Sequence, residues 1–145
     1  MRGIGVVNAG WGDAAAGGAG CDGELLELLL AAHAELTSAA ATYSTELRAL
    51  LLCGDHLDRT LARSGLPDTT LLRLARRRPL REASLERATR TAEIQRLAVA
   101  VSECRTTIAA NRDQLTAIVN ELAPGLTAQH RIGPVKAAMT IVHSR

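Results

Sequence analysis

The stretch from Ser84 to Leu122, SLERATRTAEIQRLAVAVSECRTTIAANRDQLTAIVNEL, decides how the rest of the chain is read. Ile94, Val101, Ile108, Leu115 and Leu122 recur every seven residues, and Leu97, Cys104, Asn111 and Ile118 form a second set between them. The alternating steps of three and four keep one stripe of an α-helix against a partner. No Gly or Pro interrupts the chain between Pro79 and Pro124, so nothing in the backbone stops the helix. At the usual rise per residue it extends about 60 Å. A helix of that length cannot cover its own apolar stripe, so a partner helix is required.

A second helix is predicted upstream, from Leu25 to about Cys53. Leu29, Leu36, Tyr43 and Leu50 sit seven apart, with Leu25, Ala32 and Ala39 between them. Asp22 reads as its N-cap, with Glu24 and Glu27 in the first turns, and Gly54 as its C-terminal stop. Two short helices are predicted between the long ones. One runs from Asp55 to Ser64 with Asp55 as cap. The other runs from Thr69 to Arg78, capped by Asp68 after a Gly65-Leu66-Pro67 turn. His33 and Tyr43 read as seam or flank residues, having no catalytic partner nearby in sequence.

Composition fits this reading. Of 145 residues 47% are hydrophobic, yet the chain holds one Trp, one Tyr and no Phe. A compact interior normally draws on aromatic bulk, so Ala and Leu in narrow helix-to-helix seams are expected instead. Three cysteines, Cys21, Cys53 and Cys104, form no CxxC and are odd in number, as expected of reduced thiols in a cytoplasmic protein. The run Leu25–Leu36 is broken by Glu27, His33 and Glu35, so no membrane span is expected. Met1–Gly23 holds eight of the twelve glycines and lacks the apolar core of a signal peptide. Gly3-Ile4-Gly5 and Gly10-Trp11-Gly12 are not a nucleotide loop, since no strand follows them. A flexible Gly/Ala-rich tail over 1–21 is expected. Asp55-His56-Leu57-Asp58 lacks a third anchored ligand, so no metal site is assigned.

The conspicuous charge feature is Arg73, Arg76, Arg77, Arg78 and Arg81, followed by Arg87, Arg90 and Arg96. Two readings stay open. The arginines either form a solvated face partly neutralised by Glu82, Glu86 and Glu93, or clamp a nucleic-acid backbone without reading sequence. The net charge of +2 does not choose between them. Without interleaved aromatics, stacking on single strands is not expected. Downstream, Pro124-Gly125 closes the long helix. Gly133 fits a tight turn, and Pro134 fits the first turn of a terminal helix. The stretch is either an ordinary turn into a terminal helix or, with the amides there joined by Arg131 and Lys136, a helix-hairpin-helix grip on phosphate.

Several blocks share order and spacing with one family: Leu47-Arg48-Ala49-Leu50-Leu51-Leu52-Cys53-Gly54-Asp55, Leu61-Ala62-Arg63, Asp68-Thr69-Thr70-Leu71, Leu74-Ala75-Arg76-Arg77-Arg78, Glu121-Leu122-Ala123-Pro124-Gly125-Leu126, and Ile132-Gly133-Pro134-Val135 with Ala137-Ala138. From roughly Asp22 onward the chain resembles the middle of the bridge-RNA-guided transposases of the insertion sequence 110 type. The resemblance implies a parent with a RuvC-like domain of four acidic residues before this region, and a reactive serine in a domain that begins near Ile132-Gly133-Pro134. It also implies magnesium at the acidic site and subunits paired through coiled coils. No acidic domain precedes Asp22, and Ser144 does not match the family serine. Where the family turn reads Gly-Ile-Gly, this chain has Arg131-Ile132-Gly133.

The expectation is therefore an all-α chain: a long antiparallel helical hairpin with short helices at its tip and a terminal stub. Residues 22–124 form the helical linker, and 125–145 a truncated start of the C-terminal transposase domain. It is expected to be catalytically inert by itself, with no catalytic residue and no cofactor or metal of its own. DNA, and a guide RNA as a second nucleic acid, are the expected partners through Arg76, Arg77, Arg78, Arg81, Arg131, Gly133 and Lys136. Ile94, Leu97, Val101, Cys104, Ile108, Leu115, Ile118 and Leu122 are the expected oligomerisation seam, with a second copy or a full-length transposase as partner. A helical inhibitor of that transposase, or a non-specific nucleic-acid binder, is the alternative.

Overall fold

The computed structural model describes residues 14–144, with the side chains of 21–128 and 131–144. The chain is all-α. Helices α1 (Ala14–Leu52), α2 (His56–Ala62), α3 (Asp68–Ala75), α4 (Leu85–Leu122), α5 (Leu126–His130) and α6 (Pro134–His143) follow one another, with no strand among the described residues. The two Gly-x-Gly elements before Ala14 lie outside the described residues. Helix α1 starts well before Asp22, so 14–21 are helical and Asp22 is an interior residue, not a cap.

The chain divides into two compact units, one made of the residues up to His33 with those from Ala110 onward, the other of Ala34–Ala109. In the first, Leu26 of α1 packs with Leu115 and Val119 of α4 and with Ala137 and Ala138 of α6. Each fully buried Leu or Val contributes about 1.5–3 kcal/mol, while the two alanines let α6 approach closely. Asn111 is buried in the seam and its Nδ2 donates to Leu29 O at 3.0 Å. Its Oδ1, and Nδ1 of His33, are buried with no partner among the described residues. Leu29 lies opposite Asn111 while Leu26 packs with Leu115 and Val119, so the two helical segments of this unit run antiparallel.

One position of the expected α1 stripe differs: Leu26 is buried while Leu25 is 37% exposed. Leu29, Leu36, Tyr43 and Leu50 are half-buried as expected, and so are Ala32 and Ala39, with His33 and Ala40 beside them. The helical pattern therefore holds, and only its first leucine moves.

In the second unit Leu47 and Leu51 of α1 meet Ile94, Leu97, Ala98 and Val101 of α4. Ala62, Leu66, Leu71 and Leu74 from the connecting segment complete that core. Cys53 and Gly54, at the end of α1, share a cleft wall with Arg90 and Ile94, whereas Tyr43 and Glu46 lie within electrostatic reach of Arg96. The segments of this unit are therefore antiparallel as well. Of the expected oligomerisation seam, Ile94, Leu97, Val101 and Leu115 are buried in the chain's own cores, and Cys104, Ile108, Ile118 and Leu122 are half-buried. What was expected to face another chain is covered largely from within.

The ends of the helices obey local chemistry. Asp55 caps α2, its Oδ1 accepting the Asp58 amide at 2.9 Å, and Ser84 Oγ accepts the Arg87 amide at 3.2 Å at the start of α4. Helix α3 begins at Asp68 behind Pro67, so Asp68 is its first residue and not its cap, and it ends at Ala75, short of Arg78. Gly125, at φ +82°, closes α4 as expected. Gly54 does not take positive φ. It is needed because a Cβ there would lie 2.5 Å from Asp58 Oδ2.

Two non-glycine residues take left-handed backbone, Leu66 at φ 50° and Arg131 at φ 52°. Leu66 is held by burial and by Arg105, whose Nη1 donates to Leu66 O at 2.7 Å and to Asp68 Oδ1 at 3.0 Å. Gly133, expected to take the tight turn, is extended at φ −75°, ψ 169°, and Arg131 bears the strain instead. Ile132 and Val135, on either side of Pro134, dock on the core and dictate that geometry. Since left-handed backbone costs a non-glycine residue about 1–2 kcal/mol, Arg131→Gly is expected to stabilise the chain by about 1 kcal/mol. Urea unfolding measures it; an unchanged or lower midpoint contradicts the assignment.

Candidate nucleic-acid interface

The arginines of the second unit divide into two groups according to what the fold does with their charge. Arg77 is held: its Nη1 donates to Asp58 Oδ2 at 3.1 Å and its Nη2 to Asp58 Oδ1 at 2.9 Å, with side chains 29% and 14% exposed. A two-pronged, half-buried pair of this kind is among the stronger polar contacts a surface offers. The Arg77 carbonyl also accepts a hydrogen bond from Gln95 Nε2 of α4. Arg77 is therefore a clamp between α2, the segment after α3, and α4, not a free cation. Of the arginines expected to contact nucleic acid, it is the one the fold pairs among the described residues.

Three further arginines are paired. Arg90 bonds Glu86 one turn away, Arg96 bonds Glu93 at 2.9 Å, and Arg105 bonds Asp68. The Arg96 hydrogen bond holds the Glu93 carboxyl below its ordinary range, and the same bond raises Arg96. Such exposed pairs stabilise little, but they cancel charge locally. Arg73, Arg76, Arg78, Arg81 and Arg87 have no ion pair among the described residues and are exposed. Between Arg73 and Arg90 only Glu82 and Glu86 oppose seven arginines. Glu86 is already bonded to Arg90.

The uncompensated charge thus sits on the last turn of α3, the loop after it and the first turn of α4. Arg76, Arg78 and Arg81 of the expected set are here, and Arg73 and Arg87 join them. The sequence placed those two in the cluster but gave no ground for separating them from Arg77, whose partner Asp58 lies 19 residues away. Arg131, Gly133 and Lys136 belong to the other unit, where Arg131 and Lys136 are exposed and Gly133 precedes α6.

Beside the patch lies a cleft of about 490 Å³ lined by Asp55, Asp58, Arg77, Glu86, Arg87 and Arg90 among others. Two of its guanidinium groups are bonded to its carboxylates, Arg77 to Asp58 and Arg90 to Glu86, while Arg87 forms no ion pair among the described residues. Asp55 sits below its ordinary value of 3.8, first because its carboxylate accepts the Asp58 amide, with Arg77 and Arg59 adding attraction. Among the described residues no group of three acidic, His or Cys side chains is placed to hold a metal ion, and no helix is long and apolar enough to cross a membrane. No protein-family model, no curated protein and no solved structure matches the chain.

The lowered Asp55 value sets a sign. Its carboxylate is favoured in the fold, so its contribution is present above the ordinary carboxylate value and is lost as pH falls through the lowered one. Asp55→Asn keeps a good capping group without the charge. It should lower stability slightly at neutral pH, where the charged cap contributes, and flatten the acid limb, as followed by thermal unfolding between pH 7 and 3. An acid limb as steep as in the parent chain counts against the assignment.

Proposed function

We propose that this chain is a transposase-like helical element of the insertion sequence 110 kind. In this reading it contacts the nucleic-acid backbone and supplies no strand-cutting chemistry of its own. The single observation that carries the nucleic-acid part is the uncompensated set Arg73, Arg76, Arg78, Arg81 and Arg87. Charge that the fold leaves unpaired suits a polyanion, and guanidinium groups suit phosphate oxygens in particular. The transposase part rests on the residue blocks quoted above, two of which frame this surface: Leu74-Ala75-Arg76-Arg77-Arg78 and Asp68-Thr69-Thr70-Leu71. The family's magnesium chemistry belongs to an acidic domain that these blocks do not include.

Backbone contacts release counterions, so affinity for duplex DNA should fall steeply as salt rises, with a log–log slope near −0.9 per phosphate neutralised. Changing Arg76, Arg78 and Arg81 together to Ala should weaken binding to all sequences alike and reduce that slope by about 3 units. With magnesium and guide RNA added, the strands should remain uncut. A flat salt dependence ends the nucleic-acid reading. Cleavage abolished by a point substitution in this chain ends the inertness.

A second reading, association with another copy or with a full-length transposase, is favoured by one feature of the second unit. Ala75, Val99 and Ala100 line a shallow hollow of about 430 Å³ flanked by Arg96 and Glu103, and Val99 is exposed. If this face pairs with a protein, Val99→Glu should abolish concentration-dependent association in sedimentation experiments. A parent chain that stays monomeric at high concentration removes the reading for self-pairing.

A further inference from the structure

Leu80 and Leu85 are 71% and 84% exposed. An exposed leucine in a slack loop is ordinary, but Leu80 is held in place. Before it, Arg77 is tied to Asp58 through its side chain and to Gln95 through its carbonyl. Pro79 fixes its own φ. After it, the Ala83 amide donates to Leu80 O at 3.0 Å, closing a turn, and Ser84 begins α4 as its cap. The segment Arg78-Pro79 and the turn Leu80-Arg81-Glu82-Ala83 are therefore anchored on both sides, and Leu80 is exposed between two exposed arginines, Arg78 and Arg81. Leu80, Arg81, Glu82, Ala83 and Arg87 line one hollow of about 420 Å³, which brings Arg87 to the same spot.

We propose that Leu80 is a wedge that enters a base step of duplex DNA from the minor groove, with Arg78, Arg81 and Arg87 on the adjoining groove walls and phosphates. This rests on the nucleic-acid reading above and extends it from backbone contact to DNA bending. Proteins that bind the minor groove combine arginine with an aliphatic wedge in this way, unstacking one step and kinking the helix. A bilayer is the other surface for leucine beside arginine, and magnitude decides against it. Even a single myristoyl chain gives only marginal membrane attachment, and the aliphatic parts of Leu80 and Leu85 together are smaller. On DNA the phosphate contacts carry the affinity, and the leucine has only to open one step.

The test uses the full chain and a short duplex labelled with a fluorophore at each end, carrying a TA step at its centre. Affinity is titrated against salt, and end-to-end distance is read by energy transfer. The parent chain should bind and shorten the distance, and less so on a duplex of the same length without a flexible pyrimidine–purine step. Leu80→Ala, at an exposed position that folding does not need, should keep the salt slope and hold affinity within about ten-fold while losing the shortening. Arg78→Ala with Arg81→Ala should lower affinity and slope. Salt-dependent binding without bending, or bending unchanged in Leu80→Ala, overturns the wedge and leaves the nucleic-acid reading standing. Absence of salt-dependent binding overturns both. Leu80-dependent attachment to phosphatidylserine vesicles in preference to DNA overturns the wedge and assigns the turn to a membrane.

Discussion

A helix 38 residues long, such as α4, buries nothing by itself, and its apolar stripe has to be covered by something. The rest of the chain is arranged to do so. In one unit the cover comes from Leu47 and Leu51 of α1 with the α2–α3 segment. In the other it comes from Leu26 and the small face of α6, Ala137 and Ala138. Leucine and alanine suffice because each seam is narrow, which is why a chain almost without aromatic residues folds. The polar interruption at Asn111 is accommodated by a bond to the Leu29 carbonyl. A single amide in an apolar seam costs stability and tends to specify pairing register.

The same requirement sorts the arginines. Folding the α2–α3 segment onto α4 brings Asp58 to Arg77 and Asp68 to Arg105, pairs 19 and 37 residues apart in sequence. Those arginines are spent on holding the segment down, and Arg105 also secures the left-handed Leu66 carbonyl. The ones that remain, Arg73, Arg76, Arg78, Arg81 and Arg87, form no ion pair among the described residues. A set of unpaired arginines is thus left over from structural pairing, and the clamp at Arg77 holds the start of the segment that carries Arg78 and Arg81.

Much of this was legible in the residues. The heptad spacing of α4 located its buried stripe, with Ala98 and Val119 as the additions that tertiary packing made. Asp55, Ser84 and Gly125 stand at helix ends where their chemistry belongs. That Leu26 and not Leu25 is buried was not legible, because Leu25, Leu26, Leu28, Leu29 and Leu30 form a nearly continuous leucine run in which several helical faces look equally apolar. Gly17, Gly18, Gly20 and Gly23 suggested a tail because glycine disfavours helix by about 1 kcal/mol, yet the helix runs through them.

What the sequence determined by itself is the helical class, the extent of α4 and the C-terminal end of α1 to within a few residues, and the existence of an arginine-rich surface. These depend on local spacing and on side chains a few positions apart. Only the tertiary structure decided which leucine of a run faces inward, which arginine is free, and why Arg131 and not Gly133 bears positive φ. Each of those is settled by a partner distant in the chain, whether the Leu115 and Val119 side chains, the Asp58 carboxylate, or the core on which Ile132 and Val135 dock. Periodicity records the face a helix must bury, but not which distant group will meet it.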